Sequence, residues 1–294
     1  MDNDAAKIKY GLENPPHAGQ RAQQLKEETK MQFKHCTLDV EGSVAVLKFD
    51  HQEVMNAVSM DMLGGLAEAL DEINDRRAEV RCLVLTGAGR AFCTGANLQG
   101  RNQPQKPGRS NAGAALETGF HPFLRRLQNL HCPLVTAVNG PAAGAGMSFA
   151  LMGDMILVAR SAYFLQAFRR IGLVPDCGST WLLPRMIGKA RSVELSLMGE
   201  RLPAEKALEW GLINRVHDDA VLMEEAMKLA RELASGPTVA LSLIRKLYWE
   251  SPENSFEDQL NLEFQSQRVA GATEDFREGV TAFLEKRPAK FAGK

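Results

Sequence analysis

The chain has 294 residues, 45% of them apolar and 24% charged, which suits a soluble globular protein with a sizeable core and excludes global disorder. Lys and Arg number 35 against 36 Asp and Glu, so no general basic field exists to hold nucleic acid or an anionic membrane. Five cysteines (Cys36, Cys82, Cys93, Cys132, Cys177) with no CxxC argue against a disulfide framework or structural zinc and suit a reducing, cytoplasmic setting.

Residues 1–35 are polar and poorly periodic, with Pro15-Pro16 and Lys26-Glu27-Glu28, and are expected to be an extension. The first ten residues carry Asp2, Asp4, Lys7 and Lys9 with no apolar run, unlike a signal peptide. Val44–Phe49 reads as a strand. A helix is expected over 59–74, with Ser59 as N-cap and Met62, Leu63, Leu66, Leu70 and Ile73 on one face. Residues 80–86 form an apolar run of the kind buried on both faces of a partly parallel sheet. It ends at the turn Gly87-Ala88-Gly89-Arg90. The loop from Cys93 to Leu98 follows, then a Gly/Pro/Asn-rich stretch to about 111 that is either mobile or shaped around a ligand.

A helix is expected over 116–130, a strand over 133–138, a break at Asn139-Gly140-Pro141, a helix over 144–151 and a strand at Met155–Ala159. Residues 132–153 carry no charge and could span a bilayer by length. Pro133, Asn139, Pro141 and the glycines make them a buried strand, loop and helix instead. From Cys177 onward the pattern is almost wholly helical. The expected architecture is an α/β core over 36–225 with a helical region over 226–294.

Several motifs fail. Gly87-Ala88-Gly89 lacks the third glycine of a dinucleotide fingerprint, because position 92 is Phe; no GxxxxGK[ST] or HExxH occurs, and the six histidines lack ligand spacing. Gly146-Met147-Ser148-Phe149-Ala150 is a degenerate nucleophile elbow, with Asp176 and His217 as conceivable partners of Ser148. The strand before it ends near Val138, several residues too early for a sharp strand-to-helix turn. Two small-residue loops, Cys93-Thr94-Gly95-Ala96-Asn97-Leu98 and Asn139-Gly140-Pro141-Ala142-Ala143-Gly144-Ala145-Gly146, each follow a buried strand. They could aim two backbone N–H groups at one oxygen, as an oxyanion hole does, or merely allow tight helix–sheet packing; spacing leaves the two readings even. Asp176, just before Cys177-Gly178-Ser179-Thr180, reads on its own as a helix N-cap. Asp154 reads as a structural aspartate, and Arg169 and Arg170 as either solvated or phosphate-facing.

The segment from Ala91 to Leu98, and that from Pro133 to Gly140 followed by Gly144-Ala145-Gly146, resemble the two signatures of the crotonase (enoyl-CoA hydratase/isomerase) superfamily. Gly188-Lys189-Ala190, Met198-Gly199-Glu200 and residues 204–212 extend the resemblance, which covers about 36–294. It implies an α/β spiral of ββα turns with a C-terminal helical trimerisation region, a homotrimer or dimer of trimers, and an acyl-CoA thioester ligand. No metal or redox cofactor is implied. The oxyanion hole would be the N–H groups of Ala96 and Ala145, with Asn97, Leu98, Ser148 and Phe168 lining the substrate site. Ser148 and Phe168 stand where hydratases of the family carry two glutamates, so water activation by the usual route is not expected. Asp176 stands where dienoyl-CoA isomerases carry a catalytic aspartate, so the resemblance reverses the N-cap reading and implies an isomerase with Asp176 as base. A hydratase with displaced acid and base groups and a non-catalytic acyl-CoA-binding member are the alternatives. On the amphipathic tail over 273–287, with Phe276, Val280, Phe283 and Leu284 as its stripe, the family places Phe283 on the ligand and Lys286 near a phosphate.

Overall fold

In the computed structural model, which describes residues 29–99 and 113–294, strands β1 (Thr29–Phe33), β2 (Cys36–Glu41) and β3 (Val44–Phe49) form an antiparallel meander. Residues 1–28 of the expected extension, and residues 100–112 of the Gly/Pro/Asn-rich stretch, lie outside the described residues. β1 corrects the expected boundary at 35. Its side chains alternate between half-buried and exposed, and Met31 and Phe33 pack against the core once β2 is beside them.

Helix α1 (Met60–Asp75) starts where expected: Ser59 Oγ accepts the Met62 N–H at 3.1 Å, and the five apolar residues of the expected face are buried. β4 (Cys82–Gly87) follows. A π-helical turn (Leu116–Phe120) leads into α2 (His121–Gln128), then β5 (Leu134–Val138), the two-residue β6 (Ala142–Ala143), α3 (Ala145–Ala150) and β7 (Met155–Ala159). Next come β8 (Tyr163–Leu165), a 3-10 turn (Phe168–Ile171), α4 (Ser179–Ile187), α5 (Lys189–Met198), β9 (Arg201–Pro203), α6 (Ala204–Glu209) and β10 (Arg215–His217). The chain closes with α7 (Leu222–Ala234), α8 (Thr238–Glu250), α9 (Phe256–Gly271) and α10 (Glu274–Glu285).

Seven strands make the main sheet in the order β1-β2-β3-β4-β5-β7-β10, parallel from β3 onward. Every residue of β4 and β5 is buried, which is why they read as continuous apolar runs. A smaller sheet, β6-β8-β9, packs beside it; these short strands, and β10, gave no periodic signal. This is the mixed α/β architecture with C-terminal helices that the resemblance implied.

α7 corrects the expected division at 225/226. It crosses that point and lays Leu222, Ala226, Leu229, Ala230 and Ala234 against β3, β4, β5 and β7, so it belongs to the core. The remaining helices are tied to the core by Arg245 of α8. Its guanidinium pairs with Asp154 and donates to the Leu130 carbonyl at 2.9 Å and the Leu127 carbonyl at 3.1 Å. Asp154 also accepts the Leu134 N–H at 2.7 Å, which agrees with its structural reading. The predicted stripe of α10 faces outward: Phe283 is 82% exposed, and only Asp275 and Ala282 of this helix are buried. No helix among the described residues is long and apolar enough to cross a membrane.

Candidate active site

The segment after β4 is held from two sides. Cys93 donates its N–H to Pro141 and accepts from the Ala143 N–H at 3.0 Å. On the other side Val58 donates to the Gly95 carbonyl at 2.7 Å and accepts the Asn97 N–H at 2.8 Å. In a parallel bridge the residue between two such bonds turns its own N–H and C=O away. Ala96 is that residue. Ala145 opens α3, where first-turn N–H groups have no partner within the helix. Among the described residues neither N–H has an acceptor.

Glycine permits the approach of these two loops. Gly95 has φ +91°, and a Cβ there would lie 2.8 Å from the Ala143 carbonyl oxygen and 3.5 Å from the Ala145 nitrogen. At Gly144, φ +53°, an added Cβ would meet Phe168 Cζ at 3.7 Å and Gly95 Cα at 3.9 Å. Tight packing and paired N–H groups, left even by the sequence, are therefore compatible: the packing sets the two loops side by side.

Asp176 is reached through a different device. Cys177 and Gly178 both take positive φ, +52° and +79°, before α4 begins. Gly178 is the N-cap, with no side-chain cap bond, so the N-cap reading of Asp176 is overturned. It is the Asp176 main-chain carbonyl that is used: it accepts the Ser179 N–H at 3.0 Å, the Ser179 hydroxyl at 2.9 Å and the Ser148 hydroxyl at 3.4 Å. The carboxyl is left with Oδ1 buried and unpartnered. Burial pushes its pKa above the ordinary carboxylate range, partly offset by a Cys177 hydrogen bond and the positive potential of His121. The Cys177 thiol is itself pushed up, first by burial and then by the Asp176 charge.

The structure sets the Ala96 and Ala145 segments and Phe168 around the Gly95–Gly144 approach, and Ser148, on the same helix as Ala145, against the Asp176 main chain. Ser148 is fully buried on α3 and Phe168 nearly so. One is a hydroxyl tied to a carbonyl and the other an aromatic ring, so neither offers a carboxylate. The hydrolase reading also lacks geometry. β6 does directly precede α3, which the sequence did not reveal, but Ser148 is the fourth residue of the helix and its hydrogen bond goes to a carbonyl. Asn97 and Leu98 continue from Ala96; Asn97 Oδ1 accepts the Gln99 N–H at 2.9 Å, and Leu98 is partly exposed. Phe283 and Lys286 stand instead on the surface at the end of α10, which packs on α9.

Arg169 and Arg170, left open by the sequence, cap the C-terminus of α5: Arg169 bonds to the Leu197 and Met198 carbonyls and Arg170 to that of Gly199 at 2.6 Å. Among the described residues no group of three His, Cys, Asp or Glu side chains is placed to hold a metal ion. Sequence reasoning missed His121, Asn56 and Thr94. Only Asn56 carried a usable signal, since Asn tolerates the left-handed backbone found at Met55 and Asn56.

Fold and site together define an acyl-thioester enzyme of the crotonase class, and residues 39–294 match the enoyl-CoA hydratase/isomerase family model: the chain belongs to that family. It is 46% identical over 255 residues to the 1,2-epoxyphenylacetyl-CoA isomerase of Escherichia coli K12, covering 87% of this chain and 97% of that protein. It is 30% identical over 265 residues to a crotonyl-CoA hydratase of Syntrophomonas wolfei, covering 90% of this chain and all of the relative. The crystal structure of an enoyl-CoA hydratase/isomerase from Cupriavidus metallidurans superposes with a TM-score of 0.83 at 31% identity, covering 90% of this chain and 98% of that one.

Proposed function

We propose that the protein is an acyl-CoA isomerase in which Asp176 is the only catalytic base. The observation that carries this reading is the half-buried Asp176 carboxyl, whose Oδ1 is shielded from solvent and unpartnered, together with Ser148 and Phe168, which cannot serve as bases. Asp176 takes a proton from a carbon conjugated to the thioester. The C–H electron pair moves to the thioester oxygen, giving an enolate that accepts hydrogen bonds from Ala96 and Ala145. The enolate collapses as the Asp176 carboxylic acid returns the proton to another carbon, so a double bond moves with no change in composition. The same enolate can assist opening of a strained ring, as the name of the Escherichia coli relative suggests for an epoxide of a phenylacetyl thioester. A desolvated carboxylate is a stronger base than one in water, which suits this step.

The reading extends to assembly. The exposed stripe Phe276, Val280, Phe283 and Leu284 suits an interface in a trimer or dimer of trimers, with Phe283 packing on the ligand of a neighbour and Lys286 approaching a phosphate. Five buried, unpaired cysteines suit the cytoplasm. The test is an acyl-CoA panel in deuterated water read by mass spectrometry. The expected result is deuterium uptake with isomerisation of at least one unsaturated or ring-epoxide thioester, and very slow hydration of crotonyl-CoA. Hydration at an ordinary enzymatic rate overturns the reading in favour of a hydratase; binding without proton exchange overturns it in favour of a non-catalytic member.

A further inference from the structure

Asn56 lies on the segment between β3 and α1, fully buried, with left-handed φ of 57°. Its Nδ2 donates to three carbonyls of the turn after β4: Ala91 at 2.8 Å, Ala88 at 3.0 Å and Phe92 at 3.3 Å. Its Oδ1 accepts the His51 N–H at 2.9 Å, and its own N–H donates to the His51 carbonyl at 2.9 Å. Asn56 therefore joins two irregular segments that share no regular ladder.

The residues beside it complete the clamp. Thr94 Oγ1 donates to the Met55 carbonyl at 3.1 Å. Val58 holds Gly95 and Asn97, as described above. Phe92, Thr94, Gly95 and Asn97 are thus all tied to residues 55–58, and Ala96 alone is left with its N–H turned the other way. We propose that Asn56 is a positioning residue for the oxyanion hole: it fixes the loop that aims the Ala96 N–H at the point the Ala145 N–H also faces. This rests on the functional reading above, in which those two N–H groups hold the thioester oxygen.

The residue type suits the task. Asn tolerates the left-handed backbone and supplies an acceptor and two donor hydrogens on a short stem. Aspartate would set a charge against three carbonyl oxygens, and alanine would offer them nothing. Oxyanion donors act on the transition state more than on the bound substrate, and a misplacement of about 1 Å can cost on the order of 100-fold. Loosening the clamp should therefore lower kcat and leave KM nearly unchanged.

The test uses the full chain and two variants. Asn56→Gly keeps the backbone conformation free of strain and deletes the amide. Thr94→Val removes a different tether with little change in volume. Amide hydrogen exchange, read by mass spectrometry, follows the Asn97 N–H with α7 as internal reference; kcat and KM are measured on the best substrate of the acyl-CoA panel. In Asn56→Gly we expect exchange at Asn97 to rise at least about tenfold with α7 protected, kcat to fall about 10- to 100-fold, and KM to stay within about threefold. Thr94→Val should shift both in the same direction by less, and it decides the matter if Asn56→Gly does not fold. Arg245→Met, destabilised far from the loop, should keep wild-type kcat per folded molecule. Wild-type exchange at Asn97 or wild-type kcat in the folded clamp variant overturns the proposal. A wild type that turns over no acyl-CoA removes the functional reading itself, and the exchange arm still reports whether Asn56 holds the segment.

Discussion

Replacing Gly95 by alanine tests the geometry of the paired N–H groups most directly. The backbone there has φ +91°, and holding a residue with a Cβ in so sparsely populated a region costs about 1–3 kcal/mol. The new Cβ would sit 2.8 Å from the Ala143 carbonyl oxygen, a backbone atom that cannot swing aside. Overpacking of that kind adds about 1–3 kcal/mol. The loop can relieve both terms by backing away from Ala143 and Ala145, and that movement separates the Ala96 N–H from the Ala145 N–H. Losing one oxyanion donor costs about 100- to 1000-fold in kcat. For 294 residues the entropy of unfolding is about 0.6 kcal/mol/K, so a loss of about 2–6 kcal/mol lowers Tm by about 3–10 °C. Gly42→Ala is the control, because Gly42 has φ +58° with no atom near its Cβ position. It should lose about 1–2 kcal/mol, or about 2–3 °C, and keep wild-type kcat. Steady-state kinetics and thermal melts on both variants make the comparison. A Gly95→Ala enzyme within about threefold of the control in kcat would refute the argument.

Asp176→Asn should lower isomerase activity at least about 100-fold; a folded variant within a few-fold of wild type removes Asp176 as base. Because burial raises its pKa, kcat/KM of the wild type should fall with decreasing pH through a value above the ordinary carboxylate range, and an acid limb inside that range contradicts the desolvation. The same shift means the folded state holds its proton more tightly than the unfolded chain. Wild type should therefore lose stability relative to Asp176→Asn as pH rises from the ordinary carboxylate range through the raised pKa, which thermal melts at several pH values will show. Arg245→Met strands Asp154 and the Leu127 and Leu130 carbonyls, with an expected cost of about 3–5 kcal/mol, or about 5–8 °C in Tm, and partial recovery in the double variant with Asp154→Asn. A loss under about 1 kcal/mol in denaturant titrations counts against it. Lys286→Ala should weaken CoA binding by calorimetry, with the gap narrowing at high salt, and wild type should sediment as a trimer or hexamer; unchanged affinity removes the phosphate contact, and a fully active monomer removes the shared site.

Local pattern in the sequence was enough for α1, whose apolar spacing and Ser59 cap need no tertiary partner, and for the mainly apolar runs of β3, β4, β5 and β7, interrupted by Lys48, Thr86 and Thr136. The two small-residue loops were also legible from composition, and the absence of glutamate at positions 148 and 168 from the family resemblance that singles those positions out. What lies opposite a residue was not. β6, β8, β9 and β10 are two or three residues long, too short to carry a period, and exist only through distant pairing. β1 looked like part of a polar extension until β2 gave its half-buried side chains a surface. Asp176 carries the same side chain whether it caps a helix or leaves one carboxyl oxygen buried and unpartnered; the left-handed turn at Cys177 and Gly178 decided between them. The Asn56 amide meets the Ala91 carbonyl, and the Thr94 hydroxyl the Met55 carbonyl, across 35 and 39 positions of sequence, a distance at which periodicity says nothing and only the folded chain brings donor and carbonyl together.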